Sequence, residues 1–176
     1  MNTGRNQSLR ETFARLYDEN MPKVYRYMYY RVNSQPLAED LTSAVFEKAL
    51  VNFAKYDSER ASFATWIFAI AKNTIADHYR SMPKVKTVPI EDAIQAPSRE
   101  PGPQELAEDG EEKQLLRSCI GHLAEDEQEL IRLKFAMEMT NREIARTTGL
   151  SESNVGVRLF RIIRRLKDQF QETQRG

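Results

Sequence analysis

Val155, Leu159, Ile162, Leu166 and Phe170 recur every three or four residues near the end of the chain. That spacing lines one side of an α-helix and cannot be laid along one face of a strand. The opposite side of the same stretch carries Asn154, Val157, Arg161 and Arg164, with Arg158 and Arg165 at its edge. From Ser151 to Phe170 five basic residues stand against two acidic ones, so this helix is positive although the whole chain is formally neutral. Just upstream, Thr140-Asn141-Arg142-Glu143 is a capping box, Ile144 and Ala145 open a short helix, and Gly149 ends it with a residue suited to a left-handed turn. Short capped helix, glycine turn and long basic helix make a helix-turn-helix. Such a helix fits the major groove, where arginines neutralise phosphates or bond guanine edges and Asn154 reaches an adenine. Phe160, at the rim of the polar side, either covers the core or touches a thymine methyl.

The remainder also has helical spacing. Leu115, Leu116, Cys119, Ile120 and Leu123 form one stripe, and Asp126 with Glu129 reads as a capping pair opening a helix through Leu130, Ile131 and Phe135. In the first half, Asn20 before Met21-Pro22 and Ser34 before Pro36 predict two helix starts. Leu37, Ala38, Leu41, Val45, Ala49 and Phe53 then share a stripe that Phe46 widens, leaving Asp40 and Glu47 on another side. Asp57 through Ser62 has turn residues and no apolar period, which predicts an exposed loop with Ser62 as the next N-cap. Beyond it Phe63, Ile67, Ile70 and Thr74 face inward, with Trp66 and Ala71 flanking them as core. Ala69, Lys72, Asn73, Ala76 and Arg80 share the outer side. Two alanines there permit close approach by a ligand strand, while Lys72, Arg80 and Asn73 offer phosphate attraction and amide hydrogen bonds.

Charge divides the chain into three. Residues 1–81 carry a net +2, residues 82–112 a net −5 and residues 113–176 a net +3, and the middle holds five of the seven prolines. The predicted fold class is therefore all-α: two small helical domains joined by a flexible acidic linker containing proline, the second domain ending in the helix-turn-helix. The 31 linker residues would reach ~30 Å as a coil and ~95 Å fully extended. The longest charge-free apolar stretch, Ala61 to Ala71, is about half of the roughly 20 residues a membrane span needs. With one cysteine, Cys119, and two distant histidines, His78 and His122, neither a disulfide nor a zinc cluster is expected, which fits a cytoplasmic protein. No phosphate-binding loop, dinucleotide fingerprint or HExxH motif supports an enzyme, so no cofactor, metal or catalytic residue is expected.

Three stretches together resemble the extracytoplasmic-function (ECF) class of bacterial RNA polymerase sigma factors: AEDLTSAVFEKAL at 38–50, SFATWIFAIAKNTIADHYR at 62–80 and TNREIARTTGLSESNVGVRLFRIIRRLKD at 140–168. The resemblance covers nearly the whole chain. It implies that residues 1–81 are a region 2 domain, which docks on core RNA polymerase and recognises and melts the minus-10 element. Residues 113–176 are then a region 4 domain that reads the minus-35 element. It gives Asp40 and Glu47 basic partners on the polymerase. It assigns capture of an unstacked base to Asp57, Ser58, Glu59, Arg60, Ala61 and Ser62, with Lys72, Asn73 and Arg80 along the strand. The major groove falls to Ser153, Asn154, Val157, Arg158, Phe160, Arg161 and Arg164. Implied partners are core RNA polymerase, promoter DNA and an anti-sigma factor, with no membrane insertion and no small-molecule substrate. The linker would run through the polymerase's nucleic-acid channels. Two residues depart from the pattern: Gly156 where relatives often carry a basic residue, and Ala124 where a proline commonly opens a helix. The competing reading is a stand-alone helix-turn-helix regulator of duplex DNA, which as a dimer would want two-fold half-sites, whereas this chain has two unlike lobes.

Overall fold

The computed structural model describes residues 3–82 and 110–175. Every regular element among them is helical: α1 (Thr3–Val32), α2 (Gln35–Asn52) with a 3-10 turn (Phe53–Lys55), α3 (Phe63–Ser81), α4 (Glu111–Gly121), α5 (Glu125–Ile131) running on as a π-helical turn (Arg132–Ala136), α6 (Asn141–Thr148) and α7 (Glu152–Arg175). No described helix is long and apolar enough to cross a membrane. Most of the expected linker, residues 83–109, lies outside the described residues. Its expected end, residue 112, falls within the first turn of α4, because Gly110 already N-caps that helix.

The first lobe is α1, α2 and α3 around Val24, Met28, Ala38, Val45, Ala49, Ile67, Phe68 and Ala71, all buried. Asn20 and Pro22 do not start a helix. α1 passes straight through them, and the buried Asn20 donates its amide to the Leu16 carbonyl at 2.8 Å. A proline inside a helix costs ~3 kcal/mol. Upstream of it Phe13 packs edge-on against Phe53 at 5.0 Å and Tyr17 against Phe46 at 4.7 Å. Each such ring pair contributes ~0.5–1.5 kcal/mol beyond its buried area, so the two together with the area they bury offset the proline and keep the amino-terminal turns in the same helix. Ser34 does precede α2, with Pro36 in the first turn.

In the second lobe α4 and α5 pack across α7 and α6 turns onto α7. The expected Asp126/Glu129 capping pair is displaced by two residues. Ala124 occupies the N-cap, and its N–H is accepted by Glu127 at 3.3 Å, which frees Asp126 and Glu129 for longer-range partners. Phe135 is also corrected: it is 57% exposed. The cause is the π turn, in which Met137 N–H bonds to the Arg132 carbonyl. One extra residue per turn rotates the register, so that Leu133, Ala136, Met137 and Met139 point inward instead.

The two lobes touch. α1 lies against the π turn, and Tyr27, buried in an edge-on contact with Phe68 at 5.1 Å, donates its hydroxyl to Glu129 across the boundary at 2.9 Å.

Candidate nucleic-acid interface

Local chemistry sets the two halves of the helix-turn-helix at a fixed angle. The Thr140 hydroxyl accepts the Glu143 N–H at 3.2 Å while the Glu143 carboxylate accepts the Thr140 N–H at 2.8 Å. Gly149 ends α6 at φ 76, the left-handed region that disfavours any side chain. Ser151 then caps α7, its Oγ accepting from Asn154 N at 3.2 Å. Lys134 donates to Asn141 Oδ1 at 3.0 Å, and a side chain at Gly156 would meet that same Asn141 at 3.5 Å. Gly156 therefore sits where α7 passes α6, beside the exposed strip rather than on it.

The strip itself holds Ser153, Asn154, Val157, Phe160, Arg161 and Arg164, all exposed. Phe160 is 67% exposed, so it does not cover the core. Arg158 differs from its neighbours: it is half-buried and donates to Asp126 at 2.7 Å, as Arg165 pairs with Glu127 at 2.6 Å. An exposed pair of this kind contributes ~0.2–1 kcal/mol, little enough for a phosphate to displace. Arg142 and Arg146, one turn apart and exposed on α6, add basic charge that the sequence reading overlooked. Their i, i+4 spacing was the available signal.

In the first lobe the loop 57–62 has internal order. Asp57 Oδ1 accepts from Glu59 N at 3.0 Å, and its carbonyl accepts from Arg60 and Ala61 N–H. Arg60 Nε lies 3.3 Å from Asp57 Oδ2. Asp57, Ser58, Glu59 and Arg60 are exposed, Ala61 and Ser62 half-buried. Four rings, Phe53, Tyr56, Phe63 and Trp66, form the floor beneath the loop. Burial, aided by the Asp57 charge, holds the Tyr56 hydroxyl above its ordinary pKa, so it is a neutral ring at physiological pH. Ser62 caps α3 by accepting from Thr65 N at 3.3 Å and also donates to Glu143 of the second lobe.

Along α3, Ala69, Lys72 and Asn73 are exposed, and neither Lys72 nor Asn73 has an acidic partner among the described residues. Arg80 is exposed but bonded to Asp77 at 2.9 Å, whose other oxygen meets Lys48 at 3.3 Å. Ala76 is half-buried beside a cleft of about 70 Å³ lined by Tyr27, Arg31, Lys72, Ile75, Tyr79 and Glu129. On α2, Asp40 and Glu47 are exposed, two turns apart on one face. Val51, one turn further on the same line and 82% exposed, was missed by the sequence reading. Its fall outside the buried stripe was the clue. No group of acidic, histidine or cysteine residues able to hold a metal occurs among the described residues.

Two families of sequence match these two lobes. Residues 16–82 match Sigma-70 region 2 and residues 113–166 match Sigma-70, region 4. The chain is 31% identical over 159 residues to the ECF RNA polymerase sigma factor RpoE of Cereibacter sphaeroides, covering 88% of this chain and 84% of that protein. It is also 31% identical over 156 residues to the ECF RNA polymerase sigma factor BldN of Streptomyces coelicolor, spanning 89% of this chain but 59% of that longer relative. The fold is similar to that of the sigma factor RpoE from Bartonella quintana, solved with the anti-sigma factor NepR, at a TM-score of 0.62 and 17% identity over 92% of this chain and 98% of that one. With a helix-turn-helix in one lobe, a capped loop and basic helix face in the other, and both regions matched in order, the chain belongs to the ECF RNA polymerase sigma factors.

Proposed function

We propose that this chain binds core RNA polymerase, carries it to promoters and helps open them in the bacterial cytoplasm. α7 reads the minus-35 duplex through Ser153, Asn154, Val157, Phe160, Arg161 and Arg164. Arg158 joins them once a phosphate draws it from Asp126. The loop 57–62 captures an unstacked minus-10 base, and Lys72, Asn73 and Arg80 hold the strand. Asp40, Glu47 and Val51 form the polymerase-facing line on α2. Opening is driven by binding: trapping an extruded base offsets an unstacking cost of a few kcal/mol, so no hydrolysis by this chain is needed. An anti-sigma factor is the expected regulator, as in the Bartonella quintana complex.

The observation that carries this reading is the presence of two unlike candidate DNA faces on separate lobes: an exposed basic recognition helix, and a capped loop over an aromatic floor. A dimeric duplex regulator has no use for the second. Run-off transcription with purified core polymerase on a promoter set tests it. Arg161→Ala should weaken closed-duplex binding, and Asn73→Ala should spare that step while reducing permanganate-reactive thymines. Failure of the unaltered chain to bind core polymerase would overturn the reading.

A further inference from the structure

Arg158, Arg161, Arg164 and Arg165 share one side of α7, but they are not in the same state. Arg161 and Arg164, within the exposed strip, have no acidic partner among the described residues. Arg158 and Arg165, two turns apart along the edge of the strip, are each held by a carboxylate of another helix. Arg158 Nη2 lies 2.7 Å from Asp126 Oδ2, and Arg165 Nη2 lies 2.6 Å from Glu127 Oε1. Both carboxylates come from the first turn of α5, which packs against α7. That turn carries Glu125, Asp126 and Glu127 in succession. Glu125 faces Arg31 and Arg132, and Glu127 accepts the Ala124 N–H as well as meeting Arg165. Among the described residues Asp126 meets Arg158 alone.

Where these pairs fall matters as much as that they form. Arg158, Arg161 and Arg165 follow one another at three- and four-residue spacing, at which like charges on a helix repel. The counter-charges that relieve this repulsion sit on the two arginines at the edge and not on the two in the strip. An arginine without a partner swings on a long side chain and finds any phosphate near it, which is the source of affinity that ignores sequence. An arginine held by a carboxylate on a second helix has a fixed position. Arg158 and Glu127 are moreover half-buried, which limits how far either pair can follow a loosely placed DNA backbone. A phosphate takes such an arginine only by arriving within hydrogen-bond distance of it, and it arrives there when α7 is seated in the groove. Loose docking leaves both guanidinium groups with α5, and seating exchanges carboxylate for phosphate at each.

We infer that Asp126 and Glu127 are specificity-determining residues of the duplex-reading helix: they keep Arg158 and Arg165 from misplaced phosphates and so widen the gap in affinity between the promoter duplex and any other DNA. They touch no DNA themselves and act through the two arginines, as positioning residues. Specificity is a difference of affinities, and a group that weakens the wrong complex raises it as surely as one that strengthens the right one. Exposed pairs are individually weak, and the device depends on that weakness. Pairs strong enough to survive seating would block the edge of the helix, whereas their absence would offer four mobile arginines to every duplex. This inference rests on the proposed role of α7 as the reader of the minus-35 duplex.

Two duplexes test it: one selected from a random library by the unaltered full-length chain, and one of the same composition with its sequence shuffled. Asp126→Asn/Glu127→Gln is the variant, because glutamine still accepts the Ala124 N–H in a capping box. It should bind the shuffled duplex at least tenfold more tightly than the unaltered chain does, with a salt slope steeper by about 2 for the two phosphates gained. The selected duplex should gain no more than threefold, at an unchanged slope, so the ratio of the two affinities falls at least threefold. In an Arg158→Met/Arg165→Met background the same acid substitutions should leave that ratio as it was. Equal gains on both duplexes, or a fall in the ratio that persists without the arginines, would show that the carboxylates merely repel DNA and would overturn the inference. Weaker binding of the selected duplex at an unchanged slope would show that they merely orient α7, and would overturn it equally. Asp126→Asn alone, at an exposed position, keeps the test decisive if the double variant folds poorly: its slope on the shuffled duplex should steepen by about 1. A library from which the unaltered chain enriches no duplex overturns the duplex-reading role itself, and this inference with it.

Discussion

Glu138 gives the lobe contact a signature that can be read at a single residue. Its hydrogen bonds to Lys23 and then Arg26 hold its carboxyl below the ordinary value of 4.5. A depressed carboxylate contributes its stabilisation fully above the ordinary value, and that contribution is lost as pH falls through the lowered one. The Glu138 carboxyl carbon, followed by NMR, should therefore titrate below 4.5 in the intact chain, with the lobe contact unaffected from neutral pH down to that value. It should return toward 4.5 in Lys23→Met/Arg26→Met. A midpoint at or above 4.5 in the unaltered chain would mean the pairs do not form in solution. Two glycines separate backbone from packing at the same scale. Gly149 has open space around it but φ 76, so Gly149→Ala should cost ~1–2 kcal/mol through the backbone alone. Gly156 has helical geometry and only an ordinary contact with Asn141 at 3.5 Å. Gly156→Ala should therefore stabilise by up to ~1 kcal/mol. Urea unfolding midpoints should move in opposite directions.

Among the elements, the π turn decides which side chains the second lobe can bury. With Phe135 outside and Met137 fully enclosed, Phe135→Ser should change stability by no more than ~0.5 kcal/mol. Met137→Ala should cost ~2–5 kcal/mol, and a plain α-helix through these residues would reverse that order in thermal unfolding. The same turn shows where sequence reasoning stops. Apolar spacing located α2, α3, α6 and α7 because each keeps a 3.6-residue period from cap to cap. Phe135 was misplaced because that period fails for one turn, and no residue type marks a π bulge. Asn20 and Pro22 misled for a different reason: local propensity favours a helix start there, and the rings of Phe13 and Tyr17, packed on a distant helix, outweigh it. At the candidate site, the exposed strip of α7 and the capped loop were legible from caps and charge. The restraint on Arg158 was not, since its partner Asp126 lies 32 residues away and each looks solvated when read along the chain.

For the whole molecule, both candidate DNA faces are accessible with the lobes in contact. The α7 strip faces solvent throughout, and none of its residues contacts the first lobe in any of the bonds described above. The candidate minus-10 surface meets the second lobe at Ser62, which donates to Glu143, and Lys72 borders a cleft whose lining includes Glu129. Asp57, Ser58, Glu59, Arg60, Lys72, Asn73 and Arg80 are nevertheless exposed. The lobe contact should therefore leave both binding events alone. Glu138→Gly/Arg31→Gln loosens that contact, removing the partner of Lys23 and Arg26 and the arginine that meets Glu125, without changing net charge. A duplex carrying a minus-35 element should bind the unaltered chain and this variant with affinities within twofold, and Arg161→Ala should lower the salt slope of that binding by about 1 in either background. A single-stranded minus-10 oligonucleotide should likewise bind the two proteins within twofold at the same ionic strength. Because the double substitution adds no net charge, a non-specific electrostatic gain would raise both affinities together. Tighter binding of the oligonucleotide alone would show that the second lobe screens the strand, and the independence of the two faces would have to be abandoned.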